Sequence, residues 1–263
     1  MPSGRRWPPA TVDCGDPAVI RTGVVLPTFR ESPDDAFAAA EACFAAGVDG
    51  VFCYDHIWPM GQPDRPALAP FPILATLAAR TSDPAAPGAG AWLGTLVARV
   101  GLVPPAVLVA QFTALENLAP GRVIAALGTG DRLSEAENLA YGVPYPTKAE
   151  RRGEMVAVGR ALREAGLTVW LAAGHAARTA EARSAGVAAN LWDTDAGLVA
   201  SAGAPTAVDP APLEITWGGP PPPDEEGLRA KVAEMAAAGA TWVVFGWPVD
   251  PAALVAAARQ AGV

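Results

Sequence analysis

A short phrase recurs along the chain, and it constrains the fold more than anything else in the sequence. Ala45-Ala46-Gly47-Val48 precedes Gly50-Val51-Phe52, Glu164-Ala165-Gly166-Leu167 precedes Val169-Trp170-Leu171, Ser184-Ala185-Gly186-Val187 precedes Asn190-Leu191-Trp192, and Ala237-Ala238-Gly239-Ala240 precedes Trp242-Val243-Val244-Phe245. Each phrase reads as a helix closed by glycine and followed by an apolar strand. Glycine supplies the left-handed position past a helix C-terminus. An unbroken apolar run suits a parallel strand covered on both faces. The phrase returns in Gln260-Ala261-Gly262-Val263 with no strand after it, as expected of a closed barrel whose last helix returns beside its first strand.

Candidate strands fall near Gly23–Leu26, Gly50–Tyr54, Ala91–Leu96, Val123–Leu127, Thr168–Leu171, Val187–Leu191, Leu213–Trp217 and Trp242–Phe245. Strands alternating with helices in a chain of 263 residues predict an α/β fold, a single (β/α)8 TIM barrel. A doubly wound open sheet is the alternative, but the glycine fingerprint expected after its first strand is absent. Helix starts are read at Ser32, with Pro33 at the first helical position, and at Ser134 and Thr147, whose spacing to Glu137 and Glu150 fits a capping box. Residues 193–212 are too irregular to assign.

The chemistry-bearing residues sit where these strands end, the face on which such barrels place their sites. Val51-Phe52-Cys53-Tyr54 runs into Asp55-His56-Ile57-Trp58-Pro59, and His56 and His175 are the only two histidines. An imidazole at a strand end either caps it, held here by Asp55, or transfers a proton near neutral pH. Gly128-Thr129-Gly130-Asp131 follows the fourth strand. Its glycines allow close backbone approach to a ligand, or serve the turn alone, and Asp131 is a loop acid or a catalytic carboxylate. Gly174-His175-Ala176-Ala177-Arg178 follows the fifth strand, with Arg178 placed to meet an anion at a helix start or to lie in solvent. Leu96-Val97 reads as core. Trp58, Trp192, Trp217 and Trp247 all fall at strand ends, where they are expected to form an apolar cup for a flat ring.

Composition removes several functions. Nineteen Lys and Arg against 27 Asp and Glu give a net charge of -8 without a basic cluster, which argues against nucleic acid and anionic membranes. Between Pro84 and Leu115 the only charged residue is Arg99, yet Gly94, Gly101 and Pro104-Pro105 break this stretch below membrane-spanning length. Cys14, Cys43 and Cys53 form no CxxC pair, as expected of a reduced, cytoplasmic protein. Residues 1–20 read as a disordered extension preceding a domain over 21–263. No HExxH, Walker or GxSxG motif is present.

Several ordered motifs together resemble the luciferase-like monooxygenase superfamily of flavin- and deazaflavin-dependent barrels. They are the run Ala40–His56, Leu93–Val97, Pro105–Gln111, Leu115–Ala119, Gly121–Val123 leading into Leu127–Gly130, and Gly142–Pro146 followed by Glu150–Arg152. The resemblance implies a bacterial-luciferase-like barrel and an oxidoreductase passing a hydride between coenzyme F420, a deazaflavin, and a small organic substrate. It implies that Asp55 and His56 lie by the coenzyme ring, with His56 at its reactive face and Asp131 as a second catalytic candidate. It further implies a non-prolyl cis peptide at Leu96-Val97 behind the ring. Gly128, Thr129, Gly130, Gly174, His175, Ala177 and Arg178 are then expected along the ring edge or the phosphate-bearing tail. The sugar-phosphate dehydrogenase branch has Glu at Asp131 and Trp at Met60, so its substrate is not carried over. The region between strands four and five is shortened relative to the family. An FMN-dependent monooxygenase working with a flavin reductase is the alternative, and a non-catalytic flavin-binding paralogue a third. The Ala-rich helices suggest a homodimer.

Overall fold

The computed structural model describes residues 20–59, 61–174, 179–207 and 209–262. Eight parallel strands close into a barrel in chain order, and each neighbouring pair, including β1 with β8, is hydrogen-bonded. The strands are β1 (Arg21–Val25), β2 (Gly50–Cys53), β3 (Trp92–Arg99), β4 (Val123–Gly128), β5 (Thr168–Ala172), β6 (Ala188–Trp192), β7 (Ile215–Gly219) and β8 (Ala240–Gly246). The helices are α1 (Asp34–Ala46), α2 (Pro70–Arg80), α3 (Pro105–Leu118), α4 (Ser134–Ala140), α5 (Lys148–Glu164), α6 (Thr179–Ala185), α7 (Ala196–Gly203), α8 (Glu225–Ala237) and α9 (Pro251–Ala261). The glycines of the recurring phrase behave as their position requires. Gly47, Gly166, Gly186 and Gly239 have φ of 83°, 92°, 67° and 87°, a region where a Cβ costs roughly 1–2 kcal/mol.

Side chains alternate across each strand into two layers of core. Val24, Val51 and Leu93 face the helices, while Val25, Phe52, Ile124, Trp170, Trp242 and Val244 fill the barrel interior. The Phe52 and Trp170 rings lie 5.4 Å apart, and Trp170 meets Trp242 edge-on at 5.4 Å. Room for these rings comes from glycine: a Cβ on Gly23 would sit 2.7 Å from Phe52, and one on Gly94 would sit 2.7 Å from the Ile124 carbonyl. Filling the interior with aromatics makes it a packed plug, so any ligand must sit at the mouth.

The structure departs from the sequence reading at several places. β3 runs on to Arg99 instead of stopping at Leu96: past the cis Leu96–Val97 peptide the pairing with β4 resumes, shifted, at Ala98–Leu127 and Arg99–Gly128. Helix α1 begins at Asp34 with Pro33 in the N-cap position, one residue later than expected, although Ser32 Oγ still accepts from Asp34 N at 3.2 Å. The unassigned stretch after β6 contains α7, capped by Asp195, which accepts from Leu198 N at 2.8 Å. Between β4 and β5 lie α4 and α5, and the latter begins directly after Thr147, as read from the sequence. Its predicted capping box is present, with Thr147 Oγ1 accepting from Glu150 N and Glu150 Oε2 from Thr147 N. Among the described residues no helix is long and apolar enough to cross a membrane.

Candidate active site

The C-terminal ends of β2, β3 and β4 place a buried ion cluster beneath the barrel mouth. Glu137, on α4, has a side chain with no exposure to solvent. Its Oε1 lies 2.7 Å from His56 Nδ1, and its Oε2 accepts from Ile57 N at 2.9 Å and lies 3.2 Å from Arg99 Nη2. Burial alone would push this carboxyl up. The hydrogen bonds from His56 and Ile57, with the charges of His56 and Arg99, outweigh it and hold Glu137 below its ordinary range. An ionised carboxylate only accepts, so in the neutral imidazole the proton sits on His56 Nδ1, and Nε2 is then the acceptor on a ring that lines the cavity.

Asp55 is the second carboxylate. Its Oδ2 accepts from the backbone N–H of Arg99 at 2.9 Å, which ties the end of β2 to the resumed β3. Burial pushes its carboxyl up, against the lowering influence of the Arg99 N–H and guanidinium. Asp131 is exposed and serves the next turn. Its Oδ1 accepts from Leu133 N, Ser134 N and Ser134 Oγ at 2.8, 3.0 and 3.1 Å. Partial burial pushes its carboxyl up, but these bonds and the charge of His56 outweigh it and leave it below its usual value. This turn replaces the capping box expected at Ser134 and Glu137. Ser134 is the first residue of α4, its hydroxyl is committed to Asp131, and Glu137 turns inward to His56 instead.

Above this cluster lies a cavity of about 450 Å³. Leu96, Val97 and the Gly128-Thr129-Gly130 turn form one wall, Ala172, Ala173 and Gly174 another, and Phe29, Tyr54, Asn190 and Trp192 the side opposite. The cis peptide at Leu96–Val97 stands as the resemblance implied. Gly128 is required there, since a Cβ on it would meet Val97 Cγ2 at 2.3 Å, and Gly130 has φ of 69°. The turn is fixed from behind by Arg151, whose Nε donates to Thr129 O at 2.8 Å while its guanidinium lies 3.8 Å over the Tyr145 ring. Tyr145 in turn donates to Asp131 O.

The structure thus brings together Asp55, His56, Leu96, Val97, Gly128, Thr129, Gly130, Asp131 and Gly174 around one cavity. His175, Ala177 and Arg178 lie outside the described residues, as does Met60. Of the four tryptophans expected to form a cup, only Trp192 lines the cavity. Trp217 is buried in the outer core and donates to Thr194 O, Trp58 is buried beside Tyr141, and Trp247 packs on the outer core. A strand-end position does not fix which way a side chain points. Two residues of the cluster, Arg99 and Glu137, escaped the sequence reading. Arg99 had a visible signal, a single charge in an otherwise uncharged stretch of some thirty residues.

The family model described as luciferase-like monooxygenase matches residues 17–261. The chain belongs to this family. The F420-dependent glucose-6-phosphate dehydrogenase of Beutenbergia cavernae is 33% identical over 134 residues, covering 51% of this chain and 37% of that protein. The F420-dependent hydroxymycolic acid dehydrogenase of Mycobacterium tuberculosis is 30% identical over 148 residues, covering 56% of this chain and 39% of that protein. The match therefore spans about two fifths of these relatives' length. Among solved structures, an F420-dependent secondary alcohol dehydrogenase in complex with an F420-acetone adduct superposes with a TM-score of 0.72 over 93% of this chain and 99% of that one, at 13% identity. At that identity the likeness establishes the shared barrel. Within this luciferase-like fold, the cavity over the Glu137–His56 pair occupies the mouth at the C-terminal ends of the strands. Among the described residues no three His, Cys, Asp or Glu side chains are placed to hold a metal ion.

Proposed function

We propose that this luciferase-like barrel is an oxidoreductase that exchanges a hydride between coenzyme F420 and a small organic substrate. The observation that carries the reading is the buried Glu137–His56 pair opening onto a cavity with a glycine-lined wall. The wall suits a flat coenzyme: Gly128 and Gly130 present backbone to the cavity, packed too closely on Val97 and on Ser134 and Arg99 for a side chain, and Leu96 and Val97 offer an apolar backing. The names of the curated relatives support F420 over FMN. They state different substrates, so neither is transferred.

When bound, the deazaflavin supplies the two-electron chemistry by accepting or donating a hydride. The chain supplies orientation and a proton. Glu137 fixes the His56 tautomer, so Nε2 takes the proton of a substrate hydroxyl as the C–H hydride departs, and returns it in the reverse direction. The imidazolium formed stays beside the Glu137 carboxylate, which stabilises it without itself being protonated. Asp55 holds β2 and β3 in register beneath the ring site. The packed barrel interior keeps water from entering from below.

Two measurements test the reading. Fluorescence or calorimetric titration with F420 and with FMN, each oxidised and reduced, is expected to show preferential binding of F420. FMN preference moves the assignment to a monooxygenase, and binding of neither refutes both. His56→Ala is expected to lower turnover by about 10²- to 10⁴-fold while coenzyme affinity holds; undiminished turnover refutes its role.

A further inference from the structure

Resting on that coenzyme-dependent reading, we propose that the substrate is an uncharged, ring-bearing alcohol or ketone, held against an aromatic wall formed by Phe29, Tyr54 and Trp192. The three rings form a continuous run across the mouth. Trp192 meets Tyr54 edge-on at 6.4 Å, Tyr54 stacks on Phe29 at 5.4 Å with planes 4° apart, and Phe29 lies 6.0 Å from the His56 ring. His56 thus stands at the Phe29 end of the wall and Trp192 at the other, so a substrate whose ring system spans the run has its hydroxyl end beside the imidazole.

The wall is built, not incidental. Trp192 is 40% exposed, an unusual state for the largest apolar side chain. It is braced from behind by Gly218, where a Cβ would meet its ring at 2.8 Å, so β7 is hollowed to seat it. Gly246 does the same for Tyr54, whose hydroxyl lies 3.3 Å from the position of a Cβ. Burial pushes the Tyr54 phenol up to about 12, so it presents a neutral face throughout the physiological range.

Charge argues in the same direction. Among the described residues lining the cavity the ionisable groups are two carboxylates, Asp55 and Asp131, with Tyr54, His56 and one cation, Arg99. Arg99 is 3% exposed, lies against Glu137 and donates to Ser134 O, and its Nε and Nη2 are closed to solvent. An anionic substrate would have to displace Glu137 from this guanidinium and pass two carboxylates. Among the described lining residues, then, no cation is free to pair with a phosphate or carboxylate on the substrate. Asp131 Oδ1 is taken by its own turn and Asp55 Oδ2 by the Arg99 N–H, so neither carboxylate offers both its oxygens to a cation. In the oxidative direction the alcohol C–H leaves as hydride to oxidised F420 and the O–H proton passes to His56 Nε2, giving the ketone.

The test uses the whole 263-residue chain and three ligands with one ring: cyclohexanol, cyclohexyl phosphate and cyclohexylamine. Binding is read by calorimetry with coenzyme present, and coenzyme affinity is measured separately. Cyclohexanol is expected to bind at least tenfold more tightly than either charged analogue. Trp192→Ala is expected to weaken cyclohexanol by about ten- to a hundredfold, the loss of a large apolar contact, with Trp192→Phe recovering most of it and coenzyme affinity unchanged in both. Tighter binding of the phosphate or the amine overturns the proposal, as does absence of cyclohexanol binding or indifference to Trp192→Ala. A Trp192→Ala protein that loses coenzyme affinity instead overturns the substrate assignment while leaving the oxidoreductase reading intact; failure of coenzyme to bind the parent protein refutes that reading itself.

Discussion

Replacing Glu137 by glutamine removes one charge and no volume, and the donors around the carboxylate dictate how the amide must sit. Oε2 accepts from Ile57 N and faces the Arg99 guanidinium, whereas Oε1 faces only His56 Nδ1. A glutamine amide must put its oxygen toward Ile57 and Arg99, because the opposite orientation sets its NH2 against their donors. Its NH2 then points at His56 Nδ1 and turns that nitrogen into an acceptor. The imidazole proton moves to Nε2, and the base facing the cavity becomes a donor. Loss of general-base function of this kind lowers kcat by about 10²- to 10⁴-fold, while coenzyme affinity is expected to stay within threefold. Stability falls by about 2 kcal/mol for the lost charged hydrogen bonds, a drop in Tm of roughly 4–8 °C for a chain of this size. Glu137→Ala also leaves Arg99 buried without its partner, at a cost of about 3–5 kcal/mol. The pH dependence has a definite sign. Because Glu137 is held below its ordinary value in the folded chain, its stabilisation is complete above the unfolded carboxylate range and is lost as pH falls through the lower folded value. Acid denaturation of Glu137→Gln should therefore lose part of that dependence. The assays are deazaflavin absorbance for turnover, fluorescence titration for affinity, and thermal melts from pH 3 to 8, about the range that spans the titration. A Glu137→Gln protein that turns over within threefold of the parent, with an unchanged pH profile, refutes the tautomer argument.

Other positions yield sharper but smaller tests. Gly128→Ala drives a Cβ to 2.3 Å from Val97 Cγ2, so this wall of the cavity must shift; if it backs the coenzyme as proposed, we expect more than tenfold weaker coenzyme binding, with a destabilisation of about 1–3 kcal/mol, checked by titration and melting. Asp131→Ala removes the acceptor that opens α4 and should cost about 1 kcal/mol, whereas Asp131→Asn should change kcat by less than tenfold; a larger fall assigns Asp131 a direct catalytic part. Cys43 is buried and its thiol is pushed up to about 12, and burial pushes Cys53 up as well. In a Cys14→Ser background the native protein should therefore fail to react with a thiol reagent at pH 8, about half a unit below an ordinary thiol, and rapid labelling would contradict the burial.

Much of this protein was legible in its sequence, for reasons rooted in local chemistry. A glycine past a helix end and an apolar run after it depend only on backbone sterics and burial, so all eight strands fell within a few residues of their predicted places. The strand-end motifs holding Asp55, His56 and the Gly128-Thr129-Gly130 turn were visible for the same reason: a barrel of this kind presents those ends on one face. Direction and partnership were not readable along the chain. The spacing of Ser134 and Glu137 fits a capping box, but Asp131 captured the serine and Glu137 turned to a histidine 81 residues away. Arg99 entered the site because β3 continues past its apparent end, its pairing with β4 resuming at Ala98 and Arg99. Three of four strand-end tryptophans turned into packing while Trp192 remained at the mouth, because side-chain direction is set by the register and packing of neighbouring strands. Helix and strand periodicities are local and are written along the chain. The pairing of a carboxylate with an imidazole across a barrel mouth is a long-range outcome of closure, which tertiary structure alone decides.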